Sequence, residues 1–295
     1  MSVKSIIITG ANGFIGNALV KYFAEREYKV FALARSIPLE MPANAEFVRY
    51  SLEGNQDVES VFKNASFLIH CAYVKYNVHQ KDSDKINMDG SLRLFELSRK
   101  YNFKKIVYFS SFSAQPNAVS HYGKSKLAIE KTLNPSKDLI LRPGLVIGNG
   151  GLYNSIHNIV SKNKFVPLLG GGLQTVQTID IKELSLIIQK GIEDNISGIY
   201  AAAEPEAITM KTLYKAIAQK TGKKKIYFNF PYWCAELLIF LASIAHIKIS
   251  ISKENILGLK NSMSYDISKL IESFGIIPVN YKETFESMKN GNSIS

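Results

Sequence analysis

The sequence predicts an α/β fold: a doubly wound parallel sheet with a smaller C-terminal substrate-binding lobe. Three observations carry that prediction. The apolar run Ser5-Ile6-Ile7-Ile8 leads straight into Thr9-Gly10-Ala11-Asn12-Gly13-Phe14-Ile15-Gly16, which reads as a strand, a glycine turn and a helix start. Short strand-like runs then alternate with helical segments as far as residue 142, the pattern of parallel strands joined by crossover helices. Far downstream, Tyr122-Gly123-Lys124-Ser125-Lys126 sets a phenol and an ammonium one helical turn apart on a single face.

Taken in order, residues 5–9 read as the first strand and 14–27 as its helix. Residues 28–34, 46–50 and 67–72 read as the next three strands. The stretch 84–101 has helical periodicity, with Leu92, Phe95 and Leu97 among its apolar positions. A fifth strand at 105–110, a helix at 122–133 and a sixth strand at 139–142 follow. Pro143 and Gly144 end that run, and the glycines at 148–151 and 170–172 punctuate loops on either side of a helix at 155–164. Helices at 181–191 and 209–222 bracket a late strand at 198–202. Beyond them lie a strand at 225–229, an apolar helix from about Tyr232 and a lysine-rich end. The expected division is a sheet domain over 1–142, completed by about 175–202, and a smaller lobe from 143–174 and 203–295.

Composition narrows the function. The 295 residues suffice for one large core or two modest ones. Two cysteines, Cys71 and Cys234, have no metal-ligand spacing and form no disulfide framework, and the chain opens without a signal peptide, so a cytoplasmic location is expected. A formal charge of +11 fits a solvated lysine-rich surface, or attraction to a phosphorylated cofactor, a nucleotide-linked substrate or peripheral contact with an acidic membrane face. No nucleic-acid motif accompanies the single tight basic run, Lys223-Lys224-Lys225, so nucleic acid is not expected as a partner. The apolar stretch 232–249 carries Glu236 and His246 and falls short of the ~20 apolar residues of a spanning helix; it reads as a buried lobe helix, with an interfacial helix as the second reading.

The glycine turn and the Tyr-x-x-x-Lys pair together resemble the extended branch of the short-chain dehydrogenase/reductase superfamily, which includes nucleotide-sugar epimerases, dehydratases and ketoreductases. The resemblance implies a Rossmann sheet binding a nicotinamide dinucleotide. Gly10, Asn12, Gly13, Phe14, Ile15 and Gly16 would bring backbone N–H groups and a helix N-terminus to the pyrophosphate. At the end of the second strand an acid would bind an unphosphorylated ribose, but Ala34 stands there and Arg35 follows, which favours NADP(H) over NAD(H). Ser51 replaces the aspartate that members often carry near the adenine, beside Leu52. Cys71 and Ala72 match the segment along the cofactor, Asn87 a position that supports the site by hydrogen bonding, and Pro143 the nicotinamide side.

For the chemistry, the resemblance makes Tyr122 the acid/base, Lys126 the ammonium that favours the phenolate and holds the ribose, and Ser111 the donor to the substrate oxygen, with Ser113 the runner-up. Tyr73 and His121 join the substrate side. The sequence also departs from the pattern. Ala114-Gln115-Pro116 replaces a common Val-Tyr-Gly. Phe112 and Ser113 stand where dehydratases carry an acidic pair. Val176 stands at the register of the arginine that clamps a sugar nucleotide, which leaves Lys162, Lys164 or the Gly170-Gly171-Gly172 backbone to replace it. The same segment resembles atypical relatives, the complex I accessory-subunit branch among them. The leading expectation is an NADP(H)-dependent ketoreductase or epimerase acting on a nucleotide-linked deoxysugar. The alternatives are a reductase of a lipid or other apolar ketone and a low-turnover NADP-binding scaffold. Pairing of two copies through the helices that include 122–133 is a further implication of the resemblance.

Overall fold

The computed structural model describes residues 4–38, 40–54, 56–75, 82–222, 224–244, 256–257, 260 and 263–289. Its first half alternates strands and helices: β1 (Ser5–Thr9), α1 (Phe14–Ala24), β2 (Lys29–Ala34), β3 (Ala45–Arg49), α2 (Glu59–Lys63), β4 (Phe67–His70), α3 (Ser83–Lys100), β5 (Lys105–Phe109), α4 (His121–Glu130) and β6 (Leu139–Pro143). The second half holds β7 (Leu145–Ile147), α5 (Gly151–Lys162), β8 (Phe165–Leu169), β9 (Thr175–Val176), β10 (Thr178–Asp180), α6 (Ile181–Glu193), β11 (Gly198–Ala202), β12 (Ile208–Thr209), α7 (Met210–Lys220), β13 (Ile226–Phe230), α8 (Tyr232–Ile244), α9 (Ser268–Phe274) and α10 (Tyr281–Lys289).

Seven strands form one parallel sheet in the order β11-β6-β5-β4-β1-β2-β3. Strand alternation sends Ile6 and Ile8 to the face covered by α1 and α6, and Ile7 to the face covered by α3. Both faces are therefore apolar, as a sheet wound with helices on each side requires. A third cluster, from Ile147, Tyr153, Ile156, Leu213, Ile217 and Phe285, packs the smaller group of elements. The strand order reverses between β1 and β4, and their C-terminal ends open a crevice there.

Several boundaries differ from the sequence reading for local reasons. Helix α1 stops at Ala24 because Glu27 takes a left-handed φ of 61°, turning the chain into β2. Strand β4 ends at His70 because the Cys71 and Ala72 N–H groups donate to Thr9 Oγ1, both at 3.2 Å, instead of a neighbouring strand. The chain does not leave the sheet layers at Pro143-Gly144: β7 follows at once and pairs with β10. Gly144 passes so close that a Cβ there would lie 2.3 Å from the Gln177 carbonyl oxygen. The apolar helix from Tyr232 spans Tyr232–Ile244, and it is not simply buried, since Trp233, Leu237 and Leu238 face solvent. Residues 245–249, His246 among them, and Lys223 lie outside the described residues. Among the described residues no helix is long and apolar enough to cross a membrane.

Candidate active site

The glycine turn is shaped by contacts a side chain would break. Gly10 has φ 68°, and a Cβ on it would meet the Ala72 backbone at 2.9 Å. Gly13 donates its N–H to the Gly10 carbonyl at 2.8 Å. A Cβ on Gly16 would sit 2.2 Å from the same carbonyl, so only glycine lets α1 start against the turn. Gly13, the N-cap, supplies no side-chain acceptor to the first turn of α1, where Phe14, Ile15 and Gly16 present their N–H groups. Such an end can take a phosphate. The Phe14 ring itself is enclosed by the loop of Gly148, Gly150 and Gly151. Asn12 Nδ2 donates to Ser36 Oγ at 2.8 Å, tying the turn to the end of β2, where Ala34 is buried and Arg35 exposed. Among the described residues at the end of β2, none is a buried acid, and the exposed guanidinium of Arg35 flanks the corner.

A buried relay holds the floor of the crevice. Ser91 donates its proton to the Asn87 carbonyl at 2.6 Å, so at 2.9 Å it must accept from His70 Nε2. His70 Nδ1 then accepts the Thr9 hydroxyl at 2.7 Å, leaving the Thr9 oxygen to receive Cys71 and Ala72. Burial and the nearby Lys126 charge push His70 down to about 3, so the ring is neutral as this chain demands. Asn87 continues the work one step along, bonding both the N–H and the carbonyl of Val74 at 2.8 Å. Ser51 uses its hydroxyl to accept the Glu53 N–H at 3.3 Å, while Leu52 packs on Gly90 and its carbonyl is bonded by Arg93. Cys71 is pushed well up by burial, with Lys126 opposing, and stays a thiol.

Beyond β5 the reactive groups converge. Lys126 is only 3 % exposed and donates to the Phe109 carbonyl at 2.6 Å. Its ammonium lies 4.8 Å from the Tyr73 ring centre, 4.9 Å from Tyr108 and 5.9 Å from Tyr122. Burial lowers it to about 8, with Cys71 and then Glu130 pulling the other way. Tyr122 is pushed up by burial and pulled back by a hydrogen bond with Ser111; 37 % of its surface is open, which softens the push. The Tyr73 ring meets it edge-on at 5.0 Å. Ser111 Oγ in turn accepts the Ser113 N–H at 3.1 Å. Ser110, at the end of β5, is buried with no hydrogen-bond partner for its hydroxyl among the described residues. Pro143 closes β6 on the neighbouring strand and pairs with Ala202 of β11.

Tyr73, Ser111, Tyr122 and Lys126 thus come together beside Cys71 and the glycine turn. His121 does not turn the same way: its Nδ1 lies 3.4 Å from Asp84 at the start of α3, on the exposed side of α4. Val176 packs into the smaller hydrophobic cluster. Lys162 and Lys164 sit at the opposite end of β8 from the glycine loop, roughly 16 Å of strand away. The lysine beside that loop is Lys211, whose Cβ would be 3.0 Å from a Cβ on Gly172. Sequence reasoning missed four supports. Glu130 grips Arg142 through two hydrogen bonds, at 2.9 and 2.5 Å, beneath the site. Gly123 lets α4 touch the serine loop. Gln177 and Tyr265 bring a late segment over the site: Tyr265 bonds Gln177 through its N–H at 2.7 Å and the Phe112 carbonyl through its hydroxyl at 2.6 Å, with its ring stacked on Phe112 at 4.0 Å. Only Gly123 had a signal, lying inside the Tyr-x-x-x-Lys motif.

The model of the NAD dependent epimerase/dehydratase family matches residues 6–185, from β1 into α6, taking in the glycine turn and the Tyr-x-x-x-Lys helix. The chain belongs to this family. Its fold is Rossmann-like. This member of the family is 23 % identical to the UDP-glucose 4-epimerase of Vibrio cholerae, over 98 % of this chain and 97 % of that one. It is 24 % identical to a decarboxylating sterol-4-alpha-carboxylate 3-dehydrogenase of Dictyostelium discoideum, over 82 % and 84 %. Its fold superposes on a UDP-glucose 4-epimerase of Thermotoga maritima, solved with UDP-glucose, with a TM-score of 0.73 at 20 % identity, over 98 % and 100 % of the two chains. It also matches an uncharacterised protein of Mycobacterium tuberculosis at 24 % identity over 77 % of this chain, a match that spans about a quarter (24 %) of that much longer relative.

Proposed function

We propose that this epimerase/dehydratase family member is an NADP(H)-dependent ketoreductase or epimerase whose acid/base is Tyr122. The observation that carries the reading is the convergence of Ser111, Tyr122 and Lys126 at the end of β5, next to the glycine turn. Gly10 to Gly16 would hold the pyrophosphate, Arg35 the 2′-phosphate, and Lys126 the nicotinamide ribose. The bound nicotinamide supplies or accepts the hydride. Ser111 donates a hydrogen bond to the substrate oxygen, and Tyr122 gives that oxygen its proton during reduction. A phenol held above its ordinary value keeps that proton through neutrality, and the nearby Lys126 ammonium stabilises the phenolate left behind. Reversal of the same steps oxidises an alcohol, and an epimerase runs both halves in turn.

A nucleotide-linked sugar is the substrate class we favour, supported by the full-length likeness to the Vibrio epimerase. With Val176 in the lobe core, the diphosphate would rest on Lys211 and the backbone of the Gly170–Gly172 loop. An apolar ketone is the second reading, favoured by the exposed apolar residues of β8, β13 and α8. Tyr122→Phe should lower turnover by about 10²–10⁴-fold with cofactor binding little changed. Undiminished turnover would point instead to a different acid. Calorimetry with UDP and dTDP in the presence of NADPH should show binding. Silence from both, with binding of an apolar ketone, moves the assignment to the second reading.

A further inference from the structure

The pair β8 and β13 forms a two-stranded parallel sheet, with Phe165 opposite Ile226, Pro167 opposite Phe228 and Leu169 opposite Phe230. Paired residues in register share a face, so these six apolar side chains line one side of the sheet. The other side is the packed one: Val166 and Leu168 are buried and Tyr227 joins the small hydrophobic cluster. The apolar outer side stays open, with Phe165 60 % and Phe228 43 % exposed. Pro231 then leads directly into α8, which exposes further apolar side chains: Trp233, 65 % exposed, with Leu237 and Leu238. The stretches of sequence that hold these elements are basic. Residues 148–179 and 207–244 carry eight lysines and a single carboxylate, Glu236. That carboxylate is bonded by Lys260 at 2.7 Å. Lys164 and Lys224 are exposed at the N-terminal ends of the two strands, flanking the open face.

We propose that this face is a docking surface for an anionic lipid bilayer. Aromatic and aliphatic side chains on a rigid two-stranded sheet would enter the interface, and the lysines would meet acidic headgroups. Charge decides between the candidate occupants. A second copy of the chain would bring a second lysine-rich rim against the first, which repels, whereas an acidic membrane neutralises the whole rim. The surface is also continuous with the candidate site. Tyr232, the first residue of α8, packs against Gly170 so closely that a Cβ there would lie 2.4 Å from its ring, and its hydroxyl hydrogen-bonds Gln174. A bilayer on this face would therefore lie against the glycine loop at the end of β8.

The chain's single tryptophan is Trp233, so it reports on this face alone. The test uses the full chain with phosphatidylcholine vesicles, with or without phosphatidylglycerol, and no substrate. Emission should shift to the blue and be quenched by brominated lipid only with the anionic vesicles, and flotation should carry the protein with them. Lys164→Ala combined with Lys224→Ala should weaken binding roughly 25-fold, about fivefold for each lysine. Phe228→Ser, at an exposed position, should weaken it without altering the circular dichroism of the protein. No spectral shift and no flotation with anionic vesicles would overturn the proposal, as would variants that bind like wild type. Lipid-free protein whose Trp233 emission is already blue and which dimerises with concentration would overturn it in favour of self-association. Because no turnover is measured, these outcomes leave the oxidoreductase reading untouched.

Discussion

Arg35 is the residue to which we assign cofactor choice in the proposed function. It is exposed immediately after buried Ala34, and Ser36 beside it is tied back to the glycine turn through Asn12, so the corner is shaped before anything binds. A guanidinium there bonds a phosphate through two parallel N–H groups and gains little from a hydroxyl. Titrations of NADPH and NADH should show NADPH bound more tightly, and Arg35→Ala should erase most of that difference. Equal affinities in the wild type would remove the assignment. Lys126 needs a different account. Its motif spacing was plain in the sequence, but its value of about 8 comes from burial among Tyr73, Tyr108 and Tyr122, which lie on three separate stretches of chain. No local pattern encodes that.

Helix α4 meets the serine loop through Gly123. A Cβ at that position would stand 2.2 Å from the Ser113 carbonyl oxygen, and backbone cannot yield as a side chain tip does. Gly123→Ala should therefore push the helix away from Ser111, lowering turnover, and should cost about 1–3 kcal/mol in a denaturant melt. A variant with full stability and turnover would show that the contact is not needed. Strand positions in the first half followed the alternation of apolar runs because every strand there except the edge strand β3 is largely buried, which leaves a strong signal. The short pairs β7–β10 and β9–β12 left almost none. They are two or three residues long and join backbones far apart in the chain, β7–β10 where Gly144 passes against Gln177. Helices α9 and α10 were missed for a related reason: each buries only a narrow stripe, Leu270 and Phe274 in one, Tyr281 and Phe285 in the other.

Across the whole molecule, two carboxylates pin the C-terminal segment to the sheet domain. Glu183 of α6 accepts the Val279 N–H with both oxygens, at 2.9 and 3.1 Å. Glu204, after β11, accepts the Tyr281 N–H at 3.0 Å and both donors of Thr178. Burial raises Glu183 to about 7, with Asp180, Glu283 and Glu204 adding to the rise and the Val279 N–H opposing it. The unfolded chain releases that proton near 4.5, the ordinary glutamate value, so between 4.5 and about 7 the folded state holds the extra proton. Stability from this group is complete below that window and lost as pH rises through it. Glu183→Gln keeps an acceptor for Val279 without the buried charge. Its melting temperature should exceed the wild type's by a few degrees at about pH 8, on the order of 1 kcal/mol, and the two should converge near pH 5. A constant difference across that range would show that the titration of Glu183 is not coupled to folding.

By itself the sequence determined the doubly wound sheet, the glycine turn and the family, because these rest on local periodicity and on short motifs. It also brought forward Ser111, Tyr122 and Lys126, whose motifs sit at strand and helix ends. Tertiary structure alone decided the rest. Tyr265 reaches Phe112 across 153 residues, and Glu183 reaches Val279 across 96. His121 turned to Asp84, and the apolar residues of β8 and β13 aligned on one open face. The physical reason is common to all four. Direction and burial of a side chain depend on which distant segment packs against it, and residue spacing carries no record of that.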